Sequence, residues 1–87
     1  MSKDVSPTNR DRFIELGIKI GALRKMRGMS QEQLAAEDKM SRSHLSSIEA
    51  PNSVRPFSLE VLFNIADALE VEPSELLISS FPARKEK

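Results

Sequence analysis

The chain opens a helix twice within twenty residues, and this punctuation constrains its fold more than any other feature. Ser30 followed three residues later by Gln33 reads as a capping box, which starts a helix whose buried side is Leu34 and Ala35. Ser41 is a second N-cap, and the helix behind it carries Leu45 and Ile48 inward until Pro51 prevents it from continuing. Asp38-Lys39-Met40 forms the charged turn between them.

Helical spacing dominates the rest of the chain. Phe13, Leu16, Ile20 and Leu23 recur at steps of three, four and three, the stripe of an amphipathic helix that Thr8 and Asp11 are expected to cap and Gly28 to end. Leu62, Ile65, Ala66 and Leu69 predict a fourth helix capped by Ser58. Pro73 suits the first turn of a short fifth helix carrying Leu76 and Leu77, with Glu72 and Glu75 near its positive end. Between the third and fourth helices, PNSVRPF predicts an ordered but irregular loop. The only aromatic residues are four phenylalanines and no run alternates with period two, so strands are not expected. The reading is an all-α, compact five-helix domain over 9–78 containing a helix-turn-helix, with a flexible arm at 1–8 and a tail at 79–87.

Composition removes several function classes. The chain has no cysteine and one histidine, so disulfides and thiolate metal sites are out of reach and no metal or other cofactor is expected. There is no glycine-rich phosphate loop and no nucleophile with an oriented base, which argues against an enzyme and leaves no small-molecule substrate in view. Nor is there an apolar run of membrane-spanning or signal-peptide length, so a cytoplasmic protein is expected. Thirteen bases balance thirteen acids, but the balance is uneven along the chain. Residues 1–27 hold seven bases against three acids, whereas 58–78 hold five acids and no base, which predicts a polarised molecule with one face suited to phosphates.

The segment from Ser41 to Ala50 has two distinct sides. With Leu45 and Ile48 inward, Ser43, Ser46, Ser47 and Ala50 gather on the far side, flanked by Arg42 and His44. Small residues let a helix sit deep in a major groove, where hydroxyls and a guanidinium meet base edges and phosphates.

"LRKMRGMSQEQLA", "SRSHLSSIE" and "SLEVLFNIADALEVEPSELL", in that order, resemble the phage repressor and Cro family of helix-turn-helix domains, the XRE family. The resemblance runs from about Leu16 to Leu77 and implies a lambda-repressor-like fold and duplex DNA as the partner. It implies that Arg42, Ser43 and Ser47 read bases, while Ser46, His44, Arg55 and Gln31 lie at the backbone, with Gln31 also bracing Arg42. It further implies that Arg24 and Glu49 form a structural ion pair. Lys25 and Arg27, beside the motif, are candidate phosphate contacts, and Met26, Met29 and Met40 are assigned to packing. Where the family usually has glycine in the turn, this chain has Lys39, which is then expected at positive φ.

A single module reads too few base pairs to be selective, so a homodimer on a two-fold-related operator is expected. Leu76, Leu77, Ile78 and Phe81 exceed what a short terminal helix needs for its own core; one of Leu76 and Leu77 is expected to close the bundle, and Leu77, Ile78 and Phe81 are taken as the dimer surface. The competing reading is a protein-interaction module, such as the antitoxin half of a toxin pair, using the same apolar end.

Overall fold

A computed structural model describes residues 5–52 and 54–78. Five helices follow one another: α1 Pro7–Met26, α2 Gln31–Glu37, α3 Arg42–Glu49, α4 Leu59–Leu69 and α5 Pro73–Leu77, with no strand among the described residues.

Serines start four of the helices. Ser30 accepts from the Gln33 amide at 3.0 Å while the Gln33 side chain accepts from the Ser30 amide at 2.7 Å, a complete capping box on α2. Ser41 caps α3 through the His44 amide, and Ser58 caps α4 through that of Val61. The start of α1 corrects the sequence reading. Its cap is Ser6, accepting from the Asn9 amide at 3.3 Å, so the helix begins at Pro7 and Thr8 lies inside it. Proline at the first helical position needs no amide partner and arrives with helical φ, which favours the earlier start.

Three helices end in one motif. After α1, Gly28 donates to the Lys25 carbonyl and Met29 to that of Arg24; after α2, Lys39 and Met40 do the same to Ala36 and Ala35; after α4, Glu70 and Val71 to Asp67 and Ala66. Each corner places one residue at positive φ: Gly28 at 74°, Lys39 at 56° as expected, and Glu70 at 62°. The apolar residue that follows each, Met29, Met40 and Val71, packs on the core, the contact that accompanies this kind of helix end. Met29 and Met40 thus have the packing role expected of them. Met26 does not: it is 79% exposed at the end of α1.

The core comprises Ile20, Leu34, Ala35, Leu45, Ile48, Leu62, Ile65, Ala66, Leu69 and Leu76. The expected α1 stripe is rotated. Phe13, Leu16 and Leu23 are only half-buried, and the fully inward line is Gly17, Ile20, Gly21 and Arg24. A Cβ on Gly17 would collide with the carbonyl oxygen of Ile48, and one on Gly21 would stand 3.2 Å from the Glu49 carboxylate. These two glycines let α1 lie directly on the end of α3. On the opposite face of α1, Lys19 donates to the carbonyls of Glu75 and Ile78 at 3.0 and 2.7 Å and so closes α5 against α1.

Candidate nucleic-acid interface

The candidate surface is the outer side of α3, and its orientation is fixed at both ends. At the C-terminal end, Arg24 grips Glu49 with two parallel hydrogen bonds, Nε to Oε2 at 2.8 Å and Nη2 to Oε1 at 2.9 Å, both side chains being over nine-tenths buried. Arg24 Nη1 also donates to the Met29 carbonyl at 2.8 Å, and Gln31 Nε2 donates to Glu49 Oε1 at 3.0 Å. One charged cluster therefore ties α1, the start of α2 and the end of α3 together, the bidentate geometry that arginine forms best. The ion pair expected from the sequence is present. Gln31 differs from expectation: its amide nitrogen serves Glu49, not Arg42, because the end of α3 comes back over the start of α2. Beyond Glu49, Ala50 is extended with ψ 126°, as the residue before a proline must be, and the chain leaves the helix axis.

At the N-terminal end the joint is the turn Asp38-Lys39-Met40. Lys39 takes the left-handed conformation that glycine would adopt without strain. Asp38 is buried, and its Oδ2 has no hydrogen-bond partner. Burial, with lesser repulsion from Glu37 and from Asp67 on α4, raises its pKa from 3.8 to about 6. Sequence reasoning missed this group, treating Asp38 as one more polar turn residue. The signal available was its place directly after an acid, Glu37, at the end of a short helix.

Between these joints α3 divides cleanly. Leu45 and Ile48 are buried, Arg42, Ser43 and Ser46 are exposed, and His44 and Ser47 are half-buried. The Ser47 hydroxyl donates to the Ser43 carbonyl at 3.1 Å, and the Ser41 and Ser43 hydroxyls lie 3.4 Å apart. Arg42 and Ser46 have no side-chain partner among the described residues, and neither do Lys25 and Arg55, both exposed. Arg27 is placed otherwise. It reaches Glu70 at the end of α4, donating to the carbonyl at 3.4 Å with a carboxylate oxygen 3.9 Å away. It thereby joins the wall of an open depression that Glu37, Asp67 and Glu70 also line. Leu76 closes the core while Leu77 and Ile78 are each 61% exposed; Phe81 lies outside the described residues. No group of side chains among the described residues could hold a metal ion.

Two short helices at a tight turn, the second clamped at both ends with a polar face left outward, define a helix-turn-helix domain. Residues 20–76 match the family model HTH_3, described as helix-turn-helix. The chain belongs to this family, that of Cro/C1-type, XRE-like regulators. It is similar to the restriction-modification controller protein C.AhdI from Aeromonas hydrophila, at 34% identity and TM-score 0.68, covering 74% of this chain and 94% of that one. It is also similar to the N-terminal DNA-binding domain of SinR from Bacillus subtilis, at 30% identity and TM-score 0.69, covering 79% and 99%. SinR, a master regulator for biofilm formation, has in addition been solved in complex with DNA; that structure matches at 33% identity and TM-score 0.65 and covers 72% and 98%. A search of curated proteins gave no significant match.

Proposed function

We propose that this chain is a transcription regulator that binds duplex DNA sequence-specifically, as a homodimer, with α3 in the major groove. The observation that carries the reading is the unpartnered Arg42 on the exposed face of a helix whose other face is locked by Leu45, Ile48 and Glu49. A rigid rod that presents a free guanidinium among small hydroxyls has the shape and donors of a groove reader. Membership of the family and the likeness to DNA-binding regulators support it.

In this arrangement Arg42 reads a guanine through O6 and N7, a contact that discriminates by about 1–3 kcal/mol. Ser43 reads beside it. Ser47, with its proton directed to the Ser43 carbonyl, keeps lone pairs for a base amino group. Ser46, His44, Lys25 and Arg55 hold the phosphates and set register. Gln31 is a positioning residue that acts through Glu49. Arg27, held at Glu70, is left out of the contact set.

The dimer surface is built from Leu77 and Ile78, with Phe81 following in the tail. Leu59 and Phe63, one turn apart on α4 and both exposed, are apolar residues that the sequence reading did not select and that suit the same role. No helix among the described residues is long and apolar enough to cross a membrane. A regulator acting on the chromosome works in the cytoplasm.

The test is selection of bound sites from random duplexes by the full chain. We expect a two-fold-related motif with half-sites about one helical turn apart, and Arg42→Ala should relax preference at one or two base pairs per half-site. Recovery of no motif, or equal loss on every sequence with Arg42→Ala, would overturn the assignment.

A further inference from the structure

We propose that Arg10, near the start of α1, is a second backbone anchor that works with Arg55 to grip duplex phosphates flanking the groove that α3 enters. The inference rests on the DNA-binding reading above and extends it to residues 7–19, which precede the span matched by the family.

The argument begins with helix geometry. At 100° per residue, taking Phe13 as zero, Arg10 lies at about 60°, between Gly17 at about 40° and Gly21 at about 80°. Those glycines mark the side of α1 that touches α3, at the Ile48 carbonyl and the Glu49 carboxylate. Arg10 therefore projects from the α3-facing side, two turns before Gly17. Moving along α1 in that direction leads off the end of α3 to the following loop, because Phe13 already meets Phe57 there, ring centroids 5.9 Å apart and edge to face. Arg10, one turn before Phe13, and Arg55, two residues before Phe57, therefore flank this aromatic contact from its two sides in sequence; both are exposed, and neither has a side-chain partner among the described residues.

Charge on the same helix agrees. Asp11 and Glu15 fall at about 160° and 200°, on the opposite side, so neither shields Arg10. Arg12 points elsewhere and is held by the Asn9 side chain at 3.0 Å. Where a recognition helix leaves the groove, the loop after it meets the sugar-phosphate backbone, and a cation beside that loop adds a phosphate contact.

The experiment is the salt dependence of binding by the full chain to its selected duplex, for the parent, Arg10→Gln, Arg55→Gln and Arg10→Lys. Removing one phosphate contact should lower the slope of log affinity against log salt by about 0.9 per protomer. Between 50 and 200 mM salt, the parent's advantage over Arg10→Gln should then shrink by about 3.5-fold per contact. Arg10→Lys should keep the parental slope, sequence preference should not change, and the thermal midpoint of Arg10→Gln should match the parent. A parental slope for Arg10→Gln beside a reduced one for Arg55→Gln would overturn the assignment of Arg10 and leave the DNA-binding reading intact. Absence of duplex binding at low salt by the parent itself would instead overturn that reading and this inference with it.

Discussion

A buried carboxylate lies at each end of α3, and the two are accommodated in opposite ways. At its C-terminal end, Glu49 is matched by Arg24 on both oxygens and by Gln31 on one, and Arg24 in turn satisfies the Met29 carbonyl. At its N-terminal end, Asp38 is buried without a partner on Oδ2, beside two further acids and a lysine in the left-handed region. The first joint is complementary in charge, donors and shape. The second keeps its geometry against its own electrostatics. A buried ion pair is costly to break but contributes less net stability than its contacts suggest, whereas an unmatched buried carboxylate is a standing penalty that the surrounding packing overcomes.

The comparison is most strongly tested by breaking the matched joint. Glu49→Ala should cost about 3–5 kcal/mol in urea denaturation, because Arg24 is then left buried and charged. Replacing both partners with apolar residues, as in Arg24→Met with Glu49→Leu, should recover much of that loss. If the double variant were as unstable as the single one, stranded charge would not be the cause.

Gly17→Ala probes the same joint through shape alone. Its new methyl meets a backbone carbonyl that cannot turn aside, so α1 and α3 must separate, at roughly 1–3 kcal/mol. The readout is the urea midpoint, with DNA affinity falling alongside it because Glu49 and the end of α3 move.

At the other joint the expected sign reverses. The folded-state pKa of Asp38 is about 6 against an ordinary 3.8, so between those values the folded protein binds more protons than the unfolded chain. This group therefore adds stability as pH falls from about 6 to 4, the opposite of a salt-bridged carboxylate. Asp38→Asn should be more stable than the parent by roughly 1–2 kcal/mol above pH 7, the difference vanishing below pH 4. Denaturation of both proteins at pH 4, 5, 6 and 7.5 measures it; a constant difference across that range would show that charge is not the reason. The smallest effect belongs to Lys39→Gly, which removes left-handed strain but loosens the unfolded chain, for a net gain of about 0.5–1 kcal/mol in the same denaturation measurement.

Much of this architecture was legible in the sequence because it is written in residues with strong local chemistry. Serine caps at 30, 41 and 58, prolines at 51 and 73 and apolar spacing in α3 and α4 each act within one turn of helix, and their elements stand where they were expected. The α1 stripe was read by hydrophobicity, which is blind to Gly17 and Gly21; close approach of two backbones selects for absence of a side chain. The brace from Gln31 to Arg42 is implied by resemblance alone, and resemblance does not reveal that in this chain the Gln31 amide is taken up by Glu49. Arg27 and Met26 show the same blindness in the other direction: both sit beside the motif in sequence, yet one is drawn to Glu70 and the other is left bare. On α3 the separation into an inner and an outer side follows from spacing, so Arg42, Ser43 and Ser46 lie outward as read, while the hydroxyl bond of Ser47 to its own helix needed coordinates.

The three repeated helix ends determine where this domain can tolerate change in length. At Gly28, Lys39 and Glu70 the chain reverses and, one residue later, seats an apolar side chain in the interior, so an inserted residue would swing the next helix by about 100° and pull that plug out. Among the described residues between Glu49 and Ser58 there is no such closure, and Phe57 meets Phe13 there. This stretch is the seam along which relatives could lengthen or shorten their grip on a duplex without disturbing the frame that holds α3.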